Sequence, residues 1–182
     1  ITIIIFFLSC KNEKSTLFIL KNDSGIEFEN NLVYTEDFNP YTYRNFYNGA
    51  GVSIGDINND GLLDVYITGN MVSNKLYLNK GDFKFEDITE KAGVACSGFW
   101  STGSVIVDIN GDGFLDIYVC KSGKPGGKKR HNELFINNGD LTFTENSKEY
   151  GLDFTGLSVH ASFFDYDKDG DLDCYLLSNS VR

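Results

Sequence analysis

The chain has 182 residues, of which 41% are apolar and 14% aromatic, and its formal net charge is -10 at pH 7. This apolar content excludes a disordered chain and is sufficient for a folded core. An acidic chain without a basic stripe is a poor binder of nucleic acid, so we expect no nucleic-acid partner. Two prolines and 19 glycines favour a β protein with many tight turns.

The first residues predict export. Residues 1–8 are apolar except Thr2, and a polar run begins at Lys11. This segment is too short to span a bilayer and is typical of the end of a secretory signal peptide. Phe7-Leu8-Ser9-Cys10 resembles a bacterial lipoprotein cleavage box, so Cys10 is the predicted lipidation site and the only predicted membrane contact. The alternative is a buried N-terminal strand. We expect an exported bacterial protein, an outer-membrane or cell-surface lipoprotein, or alternatively a periplasmic or secreted one.

An acidic nine-residue loop occurs three times, at residues 56–64, 108–116 and 165–173. Oxygen-bearing side chains occupy loop positions 1, 3, 5 and 9, a glycine occupies position 6 and a leucine position 8. Calcium takes six to eight oxygen ligands, and position 7 would add a backbone carbonyl. We expect the leucine to turn inward onto a core. The predicted calcium ligands are Asp56, Asn58, Asp60, Leu62 and Asp64; Asp108, Asn110, Asp112, Phe114 and Asp116; and Asp165, Asp167, Asp169, Asp171 and Asp173.

These loops differ from EF-hand loops. An EF-hand has a bidentate Glu at position 12, whereas this chain has Ile67, Val119 and Leu176 there. The residues that follow each loop are short β-type runs, so each loop is predicted to join two strands. Three bound Ca²⁺ ions would bring the net charge to about -4.

The loops belong to a longer internal repeat. Asn74 and Gly93 are 19 residues apart, as are their counterparts Asn132 and Gly151, and the loops recur after 52 and 57 residues. The first unit is predicted to form strands at 52–55, 63–68, 75–79 and 83–88, with a tight turn between the last two. Four short strands per repeat of this length are typical of propeller blades.

These units resemble FG-GAP and VCBS-type repeats, and are most similar to bacterial and cartilage-acidic-protein-like members. The features that carry the resemblance are the triple acidic loop, the Asn-x-Leu-Tyr-x-Asn segment at 74–79 and the Phe-x-Asp-Ile-Thr segment at 85–89. The resemblance implies an all-β protein whose four-stranded antiparallel blades bind calcium in a propeller of roughly seven blades. We therefore divide the chain into a signal peptide remnant (1–9), a lipid-anchor tether (10–16) and a partial propeller of about three blades (17–182), and expect it to be a fragment of a longer protein.

Two segments interrupt the repeat. Residues 121–130 contain a six-residue insertion with five basic residues, which could capture an anionic ligand or be a solvated connection. About 16 extra residues before Asp56 are rich in aromatics, which could stack on sugar rings, anchor a protein partner or cover the edge of the first blade. The aromatics are Tyr34, Phe38, Tyr41, Tyr43, Phe46 and Tyr47.

No catalytic constellation is recognised in the sequence. Ser158 and His160 are two residues apart in a predicted strand and are expected to face one side, but no orienting acid accompanies them at a recognisable spacing. Of the cysteines after Cys10, Cys120 and Cys174 lie in predicted strands, and no pairing with Cys96 can be assigned. We expect a non-catalytic adhesion or ligand-binding scaffold, with calcium and a carbohydrate or protein ligand as partners. The alternative is the propeller part of a glycan-active or other enzyme whose catalytic residues lie outside this sequence.

Overall fold

The computed structural model describes residues 17–96, 100–123 and 130–180. The predicted signal remnant, the tether and Cys10 lie outside these residues. Within them the chain forms ten strands, a short helix α1 (Thr89–Ala92) and a 3-10 turn (Arg44–Tyr47). The strands are β1 (Val52–Gly55), β2 (Asp64–Ile67), β3 (Lys75–Asn79), β4 (Phe85–Asp87), β5 (Ser101–Val107), β6 (Asp116–Lys121), β7 (Glu133–Asn137), β8 (Phe143–Glu145), β9 (Ser158–Phe164) and β10 (Asp173–Ser178). No helix in the described ranges is long and apolar enough to cross a membrane.

The strands form three antiparallel sheets, which confirms the all-β class. The first has the order β1-β2-β3-β4, the second β5-β6-β7-β8, and the third pairs β9 with β10. We refer to the three sheets as blades 1, 2 and 3. The bounds predicted for blade 1 agree with the structure to within two residues, because alternation and turn residues encode each strand locally.

The blades are packed side by side through their first strands. β1 contacts β5, and β5 contacts β9. Gly55 lies beside Ile106, and Gly51 lies beside Thr102 and Gly103, so β1 and β5 run in the same direction. One apolar core fills the space between blades 1 and 2, and a second lies between blades 2 and 3. The first contains Ile57, Tyr66, Leu76, Leu78, Ile88, Val94, Ile117, Val119 and Phe135, and the second contains Tyr118, Cys120, Leu134 and Ala161.

A buried tyrosine–asparagine pair is repeated inside blades 1 and 2. The Asn74 amide donates to the hydroxyl of Tyr66 at 2.8 Å, and Asn132 donates to Tyr118 at the same distance. Each tyrosine hydroxyl then donates to a backbone carbonyl, that of Val94 or Leu152. The pairs keep buried polar atoms satisfied and fix the second strand of each blade, β2 or β6, against the segment that follows the fourth strand.

The aromatic segment before blade 1 forms a third core. Tyr43 and Phe46 are buried against Trp100, and Phe38 packs on them, with ring centroids 5.1–5.5 Å apart. The Tyr43 hydroxyl lies 2.8 Å from the Ser122 hydroxyl of blade 2. The segment thus spans the ends of two blades, whereas Tyr34, Tyr41 and Tyr47 remain exposed. The outer edge of blade 1 is contacted further upstream, where Phe85 N–H donates to the Ser24 carbonyl.

One side-chain direction predicted from the sequence is wrong. The position-8 leucine of the first loop, Leu63, is 59% exposed, and the buried anchor is the position-2 residue Ile57. In blade 2 the equivalent Leu115 is half-buried beside Gly55 of blade 1. In blade 2, position 8 therefore points toward the preceding blade, and none of the described residues covers Leu63 in that way.

Two further expectations are corrected. Ser158 and His160 do not face the same side, because a bulge breaks the β9–β10 register at this point, so Ser158 is buried and His160 exposed. Lys121 does not belong to a solvated basic loop. Its side chain is fully buried, and its ammonium lies 2.6 Å from a carboxylate oxygen of Glu133.

Candidate metal centre

Each acidic loop occupies the same place in its blade. Gly55 pairs with Asp64, Val107 with Asp116, and Phe164 with Asp173. Eight residues thus connect the first two strands of each blade, and the position-9 aspartate is the first residue of the second strand. The paired strands hold both ends of every loop, so the loop conformation is set by the sheet as well as by its own residues.

The first loop is folded around its own side-chain oxygens. The Asp56 carboxylate accepts from the N–H groups of Asp60, at 3.1 Å, and Gly61, at 2.7 Å. Asn58 accepts from Asp60 N–H, and Asp60 accepts from Leu62 N–H. Gly61 has φ 84°, which a side chain would strain. The predicted ligands at positions 1, 3 and 5 therefore converge on the inside of one turn.

The other loops repeat this pattern. In blade 2, Asp108 accepts from Gly113 N–H at 2.9 Å, and Asp112 accepts from Phe114 N–H at 2.8 Å. In blade 3, Asp165 accepts from Gly170 N–H at 3.2 Å, and Asp169 accepts from Asp171 N–H at 3.1 Å. Three sequences with different residues at positions 4 and 7 thus adopt one hydrogen-bonding scheme.

The position-9 aspartates of blades 1 and 2 are completely buried. Asp64 accepts from the N–H groups of Ile57, at 3.0 Å, and Asn79, at 2.8 Å. Asp116 accepts from Ile109 and Asn137 in the same way. Burial raises the pKa of both carboxyl groups above the ordinary value, although these hydrogen bonds oppose the shift. A cation beside them would oppose this rise in pKa, because an opposite charge favours the ionised form of a carboxyl group.

The third loop gathers the most negative charge. Carboxylate oxygens of Asp165, Asp167 and Asp173 all lie within 4.8 Å of one another, and all three side chains are exposed. The other loops have Asn58 or Asn110 in place of the position-3 aspartate. Among the described residues, this third-loop group is the one cluster of at least three carboxylate, thiol or imidazole groups at such spacing. Asp171, predicted to bind through its carbonyl, has its pKa raised by a side-chain hydrogen bond with Asp169.

Asn79 and Asn137 also hold the acidic loops, a role that was not predicted from the sequence. The Asn79 amide donates to the Leu63 carbonyl at 2.9 Å. Asn137 donates both to Leu115, at 3.0 Å, and to the Ile57 carbonyl of blade 1, at 2.8 Å. Both are the last residue of the Asn-x-Leu-(Tyr/Phe)-x-Asn segment, and its recurrence was the one signal available.

The donor atoms suit a hard divalent cation. The loops present carboxylate, amide and backbone carbonyl oxygens, with no sulfur or imidazole donor in loop residues 56–64, 108–116 and 165–173. Ligands of this kind, held in a flexible turn, fit Ca²⁺ or Mg²⁺ and not the softer transition metals.

These features define a class of protein: an all-β repeat protein built from antiparallel blades, each with an acidic loop between its first two strands. Comparison with known proteins agrees with this description. Residues 56–119, which extend from the first acidic loop into blade 2, match the FG-GAP-like repeat. The chain is also 28% identical over 149 residues to cartilage acidic protein 1 of Xenopus tropicalis, an alignment that covers 80% of this chain and 21% of that protein. The chain spans about a fifth of the length of this relative, and the predicted resemblance to FG-GAP-type repeats is confirmed for residues 56–119.

Proposed function

We propose that this chain is a calcium-stabilised region of a β-propeller that acts as a non-catalytic adhesion or ligand-binding scaffold. The observation that carries the proposal is the recurrence of one loop geometry in three blades, with the side chains at positions 1, 3 and 5 accepting N–H groups of their own loop each time. A single Asp or Asn that accepts an N–H two residues on is common in ordinary turns, so the support comes from the recurrence of the full set at positions 1, 3, 5 and 9 in all three loops.

Calcium is proposed in preference to magnesium because of the donor number and the irregular loop. Each loop offers four side-chain oxygens and one carbonyl, and Ca²⁺ accepts six to eight ligands in flexible geometry. Mg²⁺ is smaller, demands near-ideal octahedral geometry and keeps several waters. The third loop, with carboxylates at positions 1, 3, 5 and 9, is expected to bind calcium most tightly.

A calcium titration tests this proposal. Each site that binds only the folded protein stabilises it by about 2.7 kcal/mol at a hundredfold excess over Kd, so three sites give about 8 kcal/mol in the additive limit. We expect calorimetry on the full-length protein to detect calcium binding. We also expect removal of calcium to lower the Tm markedly, and magnesium to restore little of the loss.

A matched pair of variants assigns the binding to the loops. Asp169→Ala removes one predicted ligand and should reduce the calcium-dependent shift in Tm. Glu149→Gln changes one exposed carboxylate outside the loops and should leave the shift unchanged. If the protein melts at the same temperature with calcium and with excess chelator, the loops are not structural calcium sites.

We further propose that the scaffold is exported from a bacterial cell and anchored through Cys10. The support is the apolar-to-polar switch at Cys10 in the sequence. Cys10→Ser should move the protein from the membrane fraction to the soluble fraction of a bacterial host. Equal membrane association of the variant and the parent would contradict the anchor.

A further inference from the structure

A cavity of about 230 Å³ lies at the opposite end of the blades from the acidic loops. It is surrounded by the beginnings of β1, β5 and β9, whereas the acidic loops follow the ends of these strands. Residues 43–51 of the aromatic segment close one side, and Trp100 and Ser122 contribute a second wall. The cavity and the candidate metal centre are therefore separate places on the same inner strands.

Glycines bring the inner strands close together beneath this cavity. A Cβ atom at Gly51 would lie 2.8 Å from the Thr102 carbonyl oxygen, and one at Gly103 would lie 2.5 Å from the Val159 carbonyl oxygen. Any larger residue at either position would push the blades apart. The backbone floor of the cavity is thus set by direct contact between three blades.

Polar side chains without partners stand around the cavity. The amides of Asn45, Asn48 and Asn179 and the imidazole of His160 line it, and within the described residues none of them makes a side-chain hydrogen bond. The wall behind them is fixed, because the buried Tyr43 hydroxyl is hydrogen-bonded to Ser122 and accepts from Gly123 N–H at 3.3 Å. A rigid wall with a few convergent polar groups is the usual form of a small-molecule site.

The lining also restricts the chemistry of the ligand. No Asp, Glu, Lys or Arg occurs among the described lining residues, so these residues offer an ionic ligand no counter-charge. Asparagine amides both donate and accept hydrogen bonds, as hydroxyl groups do. The volume is below the ~300–1,000 Å³ of sites for drug-sized ligands, which favours a single ring.

We propose that this cavity binds one neutral sugar residue, such as a terminal hexose or N-acetylhexosamine of a glycan. This inference rests on the proposed function as a ligand-binding scaffold and gives that scaffold a site and a ligand class. The amides and His160 meet the sugar hydroxyls, and Tyr43 and Trp100 provide the apolar side of the site.

Trp100 provides the reporter for the test. It lines the cavity, and a Trp100→Phe variant of the full-length protein identifies the part of the fluorescence change that comes from it. The fluorescence of the calcium-loaded, full-length protein is titrated with glucose, galactose, mannose and N-acetylglucosamine up to about 50 mM. A saturable change is expected with at least one of these sugars, confirmed by saturation-transfer NMR on the sugar itself.

Three variants locate the binding. Asn48→Ala and His160→Ala remove exposed side chains without internal partners, so the fold is retained and sugar affinity should fall at least fivefold. Tyr41→Ala is the matched control, because Tyr41 is 98% exposed and does not line the cavity. No response to any of the four sugars overturns the proposal. So does sugar binding that is lost in Tyr41→Ala and retained in Asn48→Ala and His160→Ala.

The same samples separate this inference from the calcium proposal. If the Tm depends on calcium but none of the sugars binds, the calcium proposal stands and the sugar site is refuted. A protein that binds sugar in the cavity but melts identically with and without calcium refutes the calcium scaffold alone.

Discussion

Replacing Asn137 with alanine should destabilise both blade 2 and its junction with blade 1. The side chain is 4% exposed and makes three hydrogen bonds. Its amide donates to the Ile57 carbonyl at 2.8 Å and to the Leu115 carbonyl at 3.0 Å, and its oxygen accepts from Gly139 N–H at 2.9 Å. The bond to Ile57 crosses 80 residues of sequence and joins the two acidic loops.

The expected magnitude follows from these bonds. Each buried hydrogen bond contributes about 1 kcal/mol net, and a buried carbonyl left without a donor costs about 1 kcal/mol or more. Asn137→Ala should therefore lower the free energy of unfolding by about 4 kcal/mol. Asn79 is the matched control, since it makes the equivalent bonds to Leu63 and Gly81 in a more exposed place and has no bond to another blade. Asn79→Ala should cost about 2 kcal/mol.

Urea unfolding of both variants in saturating calcium measures this difference by linear extrapolation. The slope should be unchanged if the variants alter stability alone. A loss in Asn137→Ala equal to or smaller than that in Asn79→Ala would show that the bond between the blades contributes nothing, and would refute the reasoning.

Two further predictions concern charge. Lys121→Met leaves the Glu133 carboxylate buried without its cation and should lower the free energy of unfolding, measured in urea, by about 3–5 kcal/mol. Adding Glu133→Leu should recover most of this loss. A double variant no more stable than the single one would contradict the ion-pair explanation. The stabilisation by calcium should shrink as the pH falls from 7 toward the raised pKa values of Asp64 and Asp116. The calcium-free fold takes up protons at these carboxylates more readily than the unfolded chain does, so its stability rises on acidification. The calcium-bound fold needs the ionised carboxylates, so its stability falls. Tm measured in calcium-free and calcium-saturated buffers across this range tests the sign, and a calcium effect that grows on acidification would contradict it.

The sequence alone determined the features that are encoded within about ten residues. The strands of blade 1, the position of each acidic loop and the turns at Gly81 and Gly139 follow from alternation, loop spacing and the Asn-x-Gly-Asp turn sequences, and both glycines have positive φ in the structure. The short helix α1 was not predicted, because a single turn held by Asp87, Thr89 and the left-handed Gly93 carries almost no periodicity.

The tertiary structure alone decided which side chains meet across blades. Nothing local distinguishes Leu63 from Leu115, or Asn79 from Asn137. Yet within the described residues Leu115 and Asn137 contact the neighbouring blade 1, whereas Leu63 and Asn79 contact no other blade in this way. Lys121, grouped by sequence with the basic insertion at 121–130, is buried because its ammonium group pairs with the carboxylate of Glu133 on the adjacent strand. The cavity likewise combines residues from near positions 45, 100, 160 and 179, whose proximity depends on how the inner strands pack at Gly51 and Gly103. Such contacts depend on the blade arrangement, which no short stretch of sequence contains.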